Sequence, residues 1–344
     1  MTDIRRTVLW VVFTMSLFLL WDGWQKHNGH PSMFSPAAPK AVSTAPGTAA
    51  SGGVPAATAA AGQAPVSAPP VAAPSEKITI RTDVLTVTVD TLGGDIVRAE
   101  LPKYLTSPDP TVTDQLLQMV RLQKKPEFTP QPVVLFNADQ HYRAQTGLVG
   151  GAGALPTHNT PMTVVTPERE LAAGQDEVKL RLESAEVGGV KLVKTFSFKR
   201  GAYTVGVAHE VVNTGTAPVT PQVYLQLVRD GSTVTGGAAF TPSFTGPAVY
   251  NDKAKFKTIK FEDIDKNKVD IEKTANDGWV SMVQHYFASA WLVNESGNRE
   301  FFVRKLPGQA GVRDTYATGM VFTLPTVAPG ATATQQATLF AGPQ

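Results

Sequence analysis

"EVKLRLESAEVGGVKLVKTFSFKRGAYTVGVAHEVVN", residues 177–213, holds three successive runs in which apolar and polar residues alternate. A period of two is that of a β-strand with one face buried. The breaks between the runs, "EVGG" and "RGAY", carry the glycines of turns. Strand, turn, strand, turn, strand is the order of an antiparallel sheet built from hairpins.

The same pattern extends in both directions. Upstream, "LTVTV" (85–89) sets Leu85, Val87 and Val89 against Thr86 and Thr88; "LGGD" turns and "IVRAEL" returns. Downstream come "VTPQVYLQLV", "FKTIKF", "EFFVRKL", "GMVFTL" and "TATQQATLFA". Outside the N-terminus, only "TDQLLQMVRLQKK" (113–125) has helical periodicity. Strands at hairpin spacing with few helices between them predict a mainly β, antiparallel sandwich of two extended sheets rather than a βαβ fold. The 29 glycines and 26 prolines fit such a turn-rich chain.

Composition narrows function by exclusion. Over 344 residues the formal net charge is +2, so no global basic field draws nucleic acid. Cysteine is absent, which removes disulfides, thiol chemistry, thiolate metal sites and a lipidated cysteine.

Residues 7–21, "TVLWVVFTMSLFLLW", carry no charge. Arg5 and Arg6 precede them, and bulky polar residues follow where a signal peptidase needs small ones. With Trp10 inside the run, and Trp21 and Trp24 placed as interface anchors, residues 4–24 read as an uncleaved signal anchor with a cytoplasmic N-terminus. Residues 1–30 thus form an anchor with flanks. Residues 31–75, nearly all Pro, Ala, Ser, Thr, Gly and Val, read as a disordered tether. As a coil it spans roughly 40 Å root-mean-square. Residues 76–344 form the exported folded domain.

No catalytic, cofactor-binding or metal-binding motif is found. His209–Glu210 is the only adjacent His–carboxylate pair, and neighbours on a strand point to opposite faces. His209 reads as an ordinary half-exposed strand residue. Asp263, Asp265 and Asn267 have the spacing of calcium-loop ligands, but Lys268 stands where glycine is needed and Thr274 where glutamate is. No phosphate-binding glycine loop or nucleophile elbow occurs.

Two neighbouring stretches remain. Residues 252–273 hold seven lysines and six acidic residues. They read either as a solvated edge or as a docking surface, with Lys253, Lys255, Lys257, Lys260, Glu262, Asp263 and Asp265 as its candidates. Next, "NDGWVSMVQHYFASAWL" (276–292) lacks charge after Asp277. Gln284 and His285 in mid-run argue against a membrane span. A helix would align Trp279, Met282, Val283, Tyr286 and Ala290. Two strands turning near "QHY" suit the aromatic content better, with Trp279, Ser281 and Val283 on one face and Phe287, Ser289 and Trp291 on another. Trp279, Tyr286, Phe287 and Trp291 are therefore expected in the core.

The order of features resembles a known family. Anchor and tether are followed by "TDVLTVTVDTLGGDIVRAELPKY" (82–104), "TFSFKRGAYTV" (195–205), "DGWVSMVQHYFASAWL" (277–292) and "LFAGPQ" (339–344). This is similar to the N-terminal part of the YidC-type membrane protein insertases of Gram-negative bacteria. The resemblance implies a periplasmic β-supersandwich, similar in architecture to galactose mutarotases, in a protein of the inner membrane. It implies a role in inserting and folding nascent inner-membrane proteins, alone or with the Sec translocon, and contact with the SecDF accessory complex. The family's insertase core, five further membrane helices and a groove arginine, has no counterpart here. No apolar run of about 20 residues follows residue 24, so this chain is expected not to insert proteins by itself. The alternative is an anchored carbohydrate-binding or mutarotase-like protein, marked by a histidine and a carboxylate converging in a cleft.

Overall fold

The computed structural model describes Trp10, Phe13, Thr14, Ser16 and residues 75–106, 129–150, 153–232, 244–308 and 313–344. The chain divides into two units, Met1–Ala49 and Ala50–Gln344. In the first, the four described residues are helical, Trp10 packs edge-on against Phe13 at 6.0 Å, and Trp10 is 66% exposed. Arg5, Arg6, Trp21, Trp24, the segment up to residue 74 expected to be a tether and the stretch 113–125 expected to be helical lie outside the described residues. Among those described, no helix is long and apolar enough to cross a membrane.

The second unit is β. Its strands are β1 (Lys77–Arg81), β2 (Thr86–Asp90), β3 (Asp95–Leu105), β4 (Pro132–Val134), β5 (Arg143–Val149) and β6 (Met162–Val164). The three alternating runs of residues 177–213 are β7 (Glu177–Ser184), β8 (Val190–Lys199) and β9 (Thr204–Asn213). There follow β10 (Gln222–Asp230), β11 (Thr245–Tyr250), β12 (Lys257–Thr258), β13 (Thr274–Ala275), β14 (Trp279–Gln284) and β15 (Phe287–Leu292). The last are β16 (Arg299–Leu306), β17 (Thr315–Thr323) and β18 (Thr332–Pro343). "FKTIKF" yields only the short β12; the chain then enters a single helical turn, α1 (Phe261–Asp265), which buries Ile264.

Among the described residues the strands form two nine-stranded sheets. One runs β1-β2-β3-β5-β10-β17-β16-β13, with β4 on β3; the other runs β12-β11-β14-β15-β18-β9-β8-β7-β6. Every strand pair is antiparallel, as hairpin spacing predicts. In β9 buried and half-exposed residues alternate without a break from Val205 to Asn213. Ile78, Ile80 and Leu225 of one sheet share a core with Leu180, Leu192, Phe196 and Trp291 of the other. All nine residues of β10 are buried, so it is covered on both faces. One face meets the second sheet. On the other, the backbone N–H of His158 donates to the Tyr224 hydroxyl at 3.0 Å, and Gly147 leaves the room that phenol needs.

The 276–292 stretch is a hairpin, β14 and β15, with a two-residue turn at His285–Tyr286. Register decides what is inside. Val280 pairs with Trp291 and Met282 with Ser289, and these four are buried. Trp279 pairs with Leu292, one step out of phase, and therefore faces away from the core. The expectation of four core aromatics is corrected accordingly. Trp291 is 1% exposed, Phe287 is half-buried against the core, Trp279 is half-buried on the outer face, and Tyr286 at the turn is 67% exposed.

Candidate functional site

The outward face of Trp279 meets the charged segment. Tyr250, its cross-strand partner on β11, stacks on it at 5.6 Å and 14° between planes. Phe256, from the charged loop, lies at 5.8 Å on the same indole and is 54% exposed. The three rings form an aromatic step at the edge of the second sheet, where β12 is the last strand. Gly278 sets its geometry: its φ is +102°, and a Cβ there would stand 2.1 Å from the Tyr250 carbonyl oxygen. Beneath, the buried Arg299 guanidinium donates to the carbonyls of Gly278 (2.8 Å), Glu295 (2.6 Å), Asn276 (3.3 Å) and Val293 (3.3 Å). One side chain thus braces the loop that enters β14 and the loop that leaves β15.

The charges frame the rings. The Tyr250 hydroxyl donates to Asp252 at 2.9 Å, which raises the phenol above its ordinary range and holds the carboxyl below its own. The Asp252 backbone N–H donates to Asp277. Lys253 pairs with Glu272 at 3.0 Å and Lys257 with Asp270 at 2.6 Å, lacing the loop to residues 270–272. Lys255 lies 3.7 Å from Asp252. Lys253, Lys255 and Lys257, on the segment that carries Phe256, thus each have an acidic partner. Lys260, Glu262 and Asp263 are displaced onto the start of α1, where Lys266 reaches Glu262 at 3.4 Å. Asp265 is turned elsewhere, onto Lys305 (2.9 Å) and the Tyr316 hydroxyl (3.1 Å). Among the described residues no group of three or more His, Asp or Glu is placed to hold a metal. What the arrangement offers is a stepped, partly exposed aromatic surface with charges of both signs around it.

A second polar cluster lies between the sheets. His209 is fully buried, which corrects the half-exposed reading; its Nε2 meets the Thr146 hydroxyl at 2.9 Å. Glu210 points the other way, into a two-oxygen pair with Arg181 at 2.9 and 3.3 Å. Lys194, fully buried on β8, donates to the carbonyls of Gly93 (2.5 Å) and Thr146 (2.8 Å) on the opposite sheet. Burial lowers the Lys194 ammonium and raises the Asp95 carboxyl, each partly offset by the other's charge. Burial, with the Lys194 charge, pushes His209 down to about 3. His209, Lys194 and Asp95 are closed off from solvent. Sequence reading missed the cluster, though its trace was present: Lys194 stands in phase with Leu192 and Phe196, and His209 with Val207 and Val211. A polar residue in the buried phase of a strand marks an interior polar contact.

The family model described as YidC periplasmic domain matches residues 77–128 and 116–344. A membrane protein insertase YidC of Cupriavidus necator is 43% identical over 352 residues, covering 99% of this chain and 58% of that protein. The protein of the same name from Janthinobacterium sp. is 42% identical over 354 residues, with the same shares. The chain therefore spans 58% of the length of these curated relatives. Among solved structures, a galactose mutarotase-like protein from Lactobacillus casei has a TM-score of 0.44 at 8% identity, covering 77% of this chain and all of that one. A galactose mutarotase related enzyme from Lactobacillus acidophilus has a TM-score of 0.43 at 11% identity, covering 77% and 97%.

Proposed function

The chain belongs to the YidC periplasmic domain family, and from that premise we propose that it is the tethered, exported part of a membrane protein insertase, acting as a docking and chaperone module rather than as a catalyst. Residues 4–24 anchor it in the inner membrane, with Arg5 and Arg6 on the cytoplasmic side and Trp21 and Trp24 at the outer interface. The partners of the whole insertase are the Sec translocon, the SecDF accessory complex and nascent inner-membrane proteins.

The observation that carries the docking role is the aromatic step of Trp279, Tyr250 and Phe256 inside its charged rim. Phe256, more than half exposed, rests on a Trp279–Tyr250 pair fixed by strand register, and this offers an accessible ring on an ordered support. Compensated charges around it give orientation without a single-sign field.

The test is equilibrium binding of the purified chain to purified SecDF. Phe256→Ser, and Lys253→Glu combined with Lys257→Glu, are each expected to weaken binding by about tenfold or more. Thr216→Ser, on an exposed loop at the far end of β9, is the control. Unchanged affinity in both step variants would remove the docking surface from this edge. An alkaline-phosphatase fusion after residue 80 tests the anchor separately: activity supports export, and inactivity overturns it.

A further inference from the structure

We propose that the end of the domain around Tyr286 is a membrane-contact tip, seated in the headgroup region of a phospholipid bilayer, a step that rests on the anchor reading of residues 4–24.

The tip is built rather than frayed. His285, first residue of the two-residue turn, has φ +41°, a left-handed conformation unusual for a residue with a side chain. Three consecutive turn carbonyls are capped by one residue. The Gln344 side-chain amide donates to the His285 and Phe287 carbonyls at 3.2 and 3.1 Å, and its backbone N–H donates to that of Tyr286 at 2.9 Å. The His285 ring lies edge-on at 3.7 Å from the Tyr286 ring. A turn capped in this way has a fixed backbone and presents Tyr286 to solvent, 67% exposed.

The ground behind it is aromatic. Tyr104 lies 5.6 Å from Phe287 and 6.0 Å from Tyr203, and all three are half-buried against the core. Leu105, next after Tyr104, is 59% exposed. Lys103 and Arg200 stand nearby around Asp83, which lies 3.9 Å from Lys103 and accepts the Gly201 N–H at 2.8 Å. An exposed phenol and an exposed aliphatic side chain at one end of the domain, with two cations in the neighbourhood, is a profile that suits a bilayer surface.

Size selects the occupant. Stable protein interfaces bury about 1,200–2,000 Å², and two projecting side chains supply far less. A bilayer asks for no such area, because each side chain partitions on its own. Such a contact is marginal alone and becomes populated when a second signal holds the protein at the surface. The anchor and tether supply it by raising the local concentration of bilayer around the domain.

The absence of cysteine makes the test direct. Single variants Tyr286→Cys, Leu105→Cys, Thr216→Cys and Thr14→Cys of the whole chain are spin-labelled and reconstituted into vesicles of phosphatidylethanolamine and phosphatidylglycerol. Collision with oxygen is compared with collision with a water-soluble nickel chelate. The labels at 286 and 105 are expected to favour oxygen severalfold over the label at 216, on the exposed loop that leaves the far end of β9. Aqueous labels at 286 and 105 beside an oxygen-rich label at 14 overturn the tip and leave the anchor standing. Aqueous labels at all positions overturn both. Spin–spin broadening at 286 that vanishes on dilution with unlabelled chain assigns the tip to a second copy and overturns the bilayer as its occupant.

Discussion

Trp279 and Trp291 stand on opposite faces of one hairpin, because Val280, and not Trp279, is the cross-strand partner of Trp291. The two indoles have different duties as a result. Trp291 fills the core and donates its Nε1–H to the Gln226 carbonyl of the other sheet at 3.1 Å, while Trp279 supports two rings at the edge.

Their truncations should separate accordingly. Trp291→Ala removes a fully buried ring and is expected to cost about 3–5 kcal/mol. Trp279→Ala loses a stacked, half-buried ring and is expected to cost about 1–2 kcal/mol. Urea unfolding monitored by circular dichroism measures both, and equal losses would contradict the assigned faces.

Gly278→Ala is expected to lower stability by about 1–3 kcal/mol, from a strained φ and a Cβ driven against the Tyr250 carbonyl. The near-ultraviolet band of the stacked Tyr250–Trp279 pair should weaken as well. An unchanged band with unchanged stability refutes the role given to this glycine.

Stability at acid pH carries the imprint of His209. Buried beside Lys194, it takes a proton only near pH 3, against 6.5 ordinarily. Between those values the unfolded chain binds a proton that the native state refuses, so stability present above about pH 6.5 is lost as pH falls. Asp95, raised by burial, works in the opposite sense, since the native state retains its proton after the unfolded chain has released it. His209→Gln removes only the first effect. Relative to the parent, the variant should gain up to about 1.4 kcal/mol for each pH unit lowered below about 6.5. Unfolding curves at about pH 7 and about pH 4.5 decide it; a difference independent of pH rules it out.

Charge reversal at the edge should affect partners more than the fold. Lys253→Glu and Lys257→Glu break exposed pairs with Glu272 and Asp270, each worth no more than about 1 kcal/mol. Melting temperatures close to the parent's, with binding lost, are the expected outcome. Collapse of the fold instead would make this rim structural.

Much of this architecture was legible because half-buried antiparallel strands write their period into the chain. β7, β8 and β9 begin where the alternation begins, and the turn at His285–Tyr286 falls inside "QHY". What the period did not disclose was phase between strands. The faces of β14 and β15 were readable separately, but only pairing register showed which face looks inward. The size of Tyr286 predicts burial, whereas a two-residue turn has no interior side. Lys194 and His209 escaped because a lone polar residue in an apolar phase is read as a blemish until its partner on the other sheet is seen. The charged rim was located as a segment, yet its aromatic centre came from three separate places, Tyr250, Phe256 and Trp279, which proximity in sequence cannot join.

The Lys194 ammonium has a mechanical meaning. It leaves one sheet and ends on two carbonyls of the opposite layer, Thr146 on β5 and Gly93 in the turn between β2 and β3. Sliding the sheets past each other by one residue, roughly 3.3 Å, would tear a buried cation from both acceptors with no water to replace them. At this point the layers are pinned in one register, and a slip would cost two buried charge-assisted hydrogen bonds as well as the packing around them.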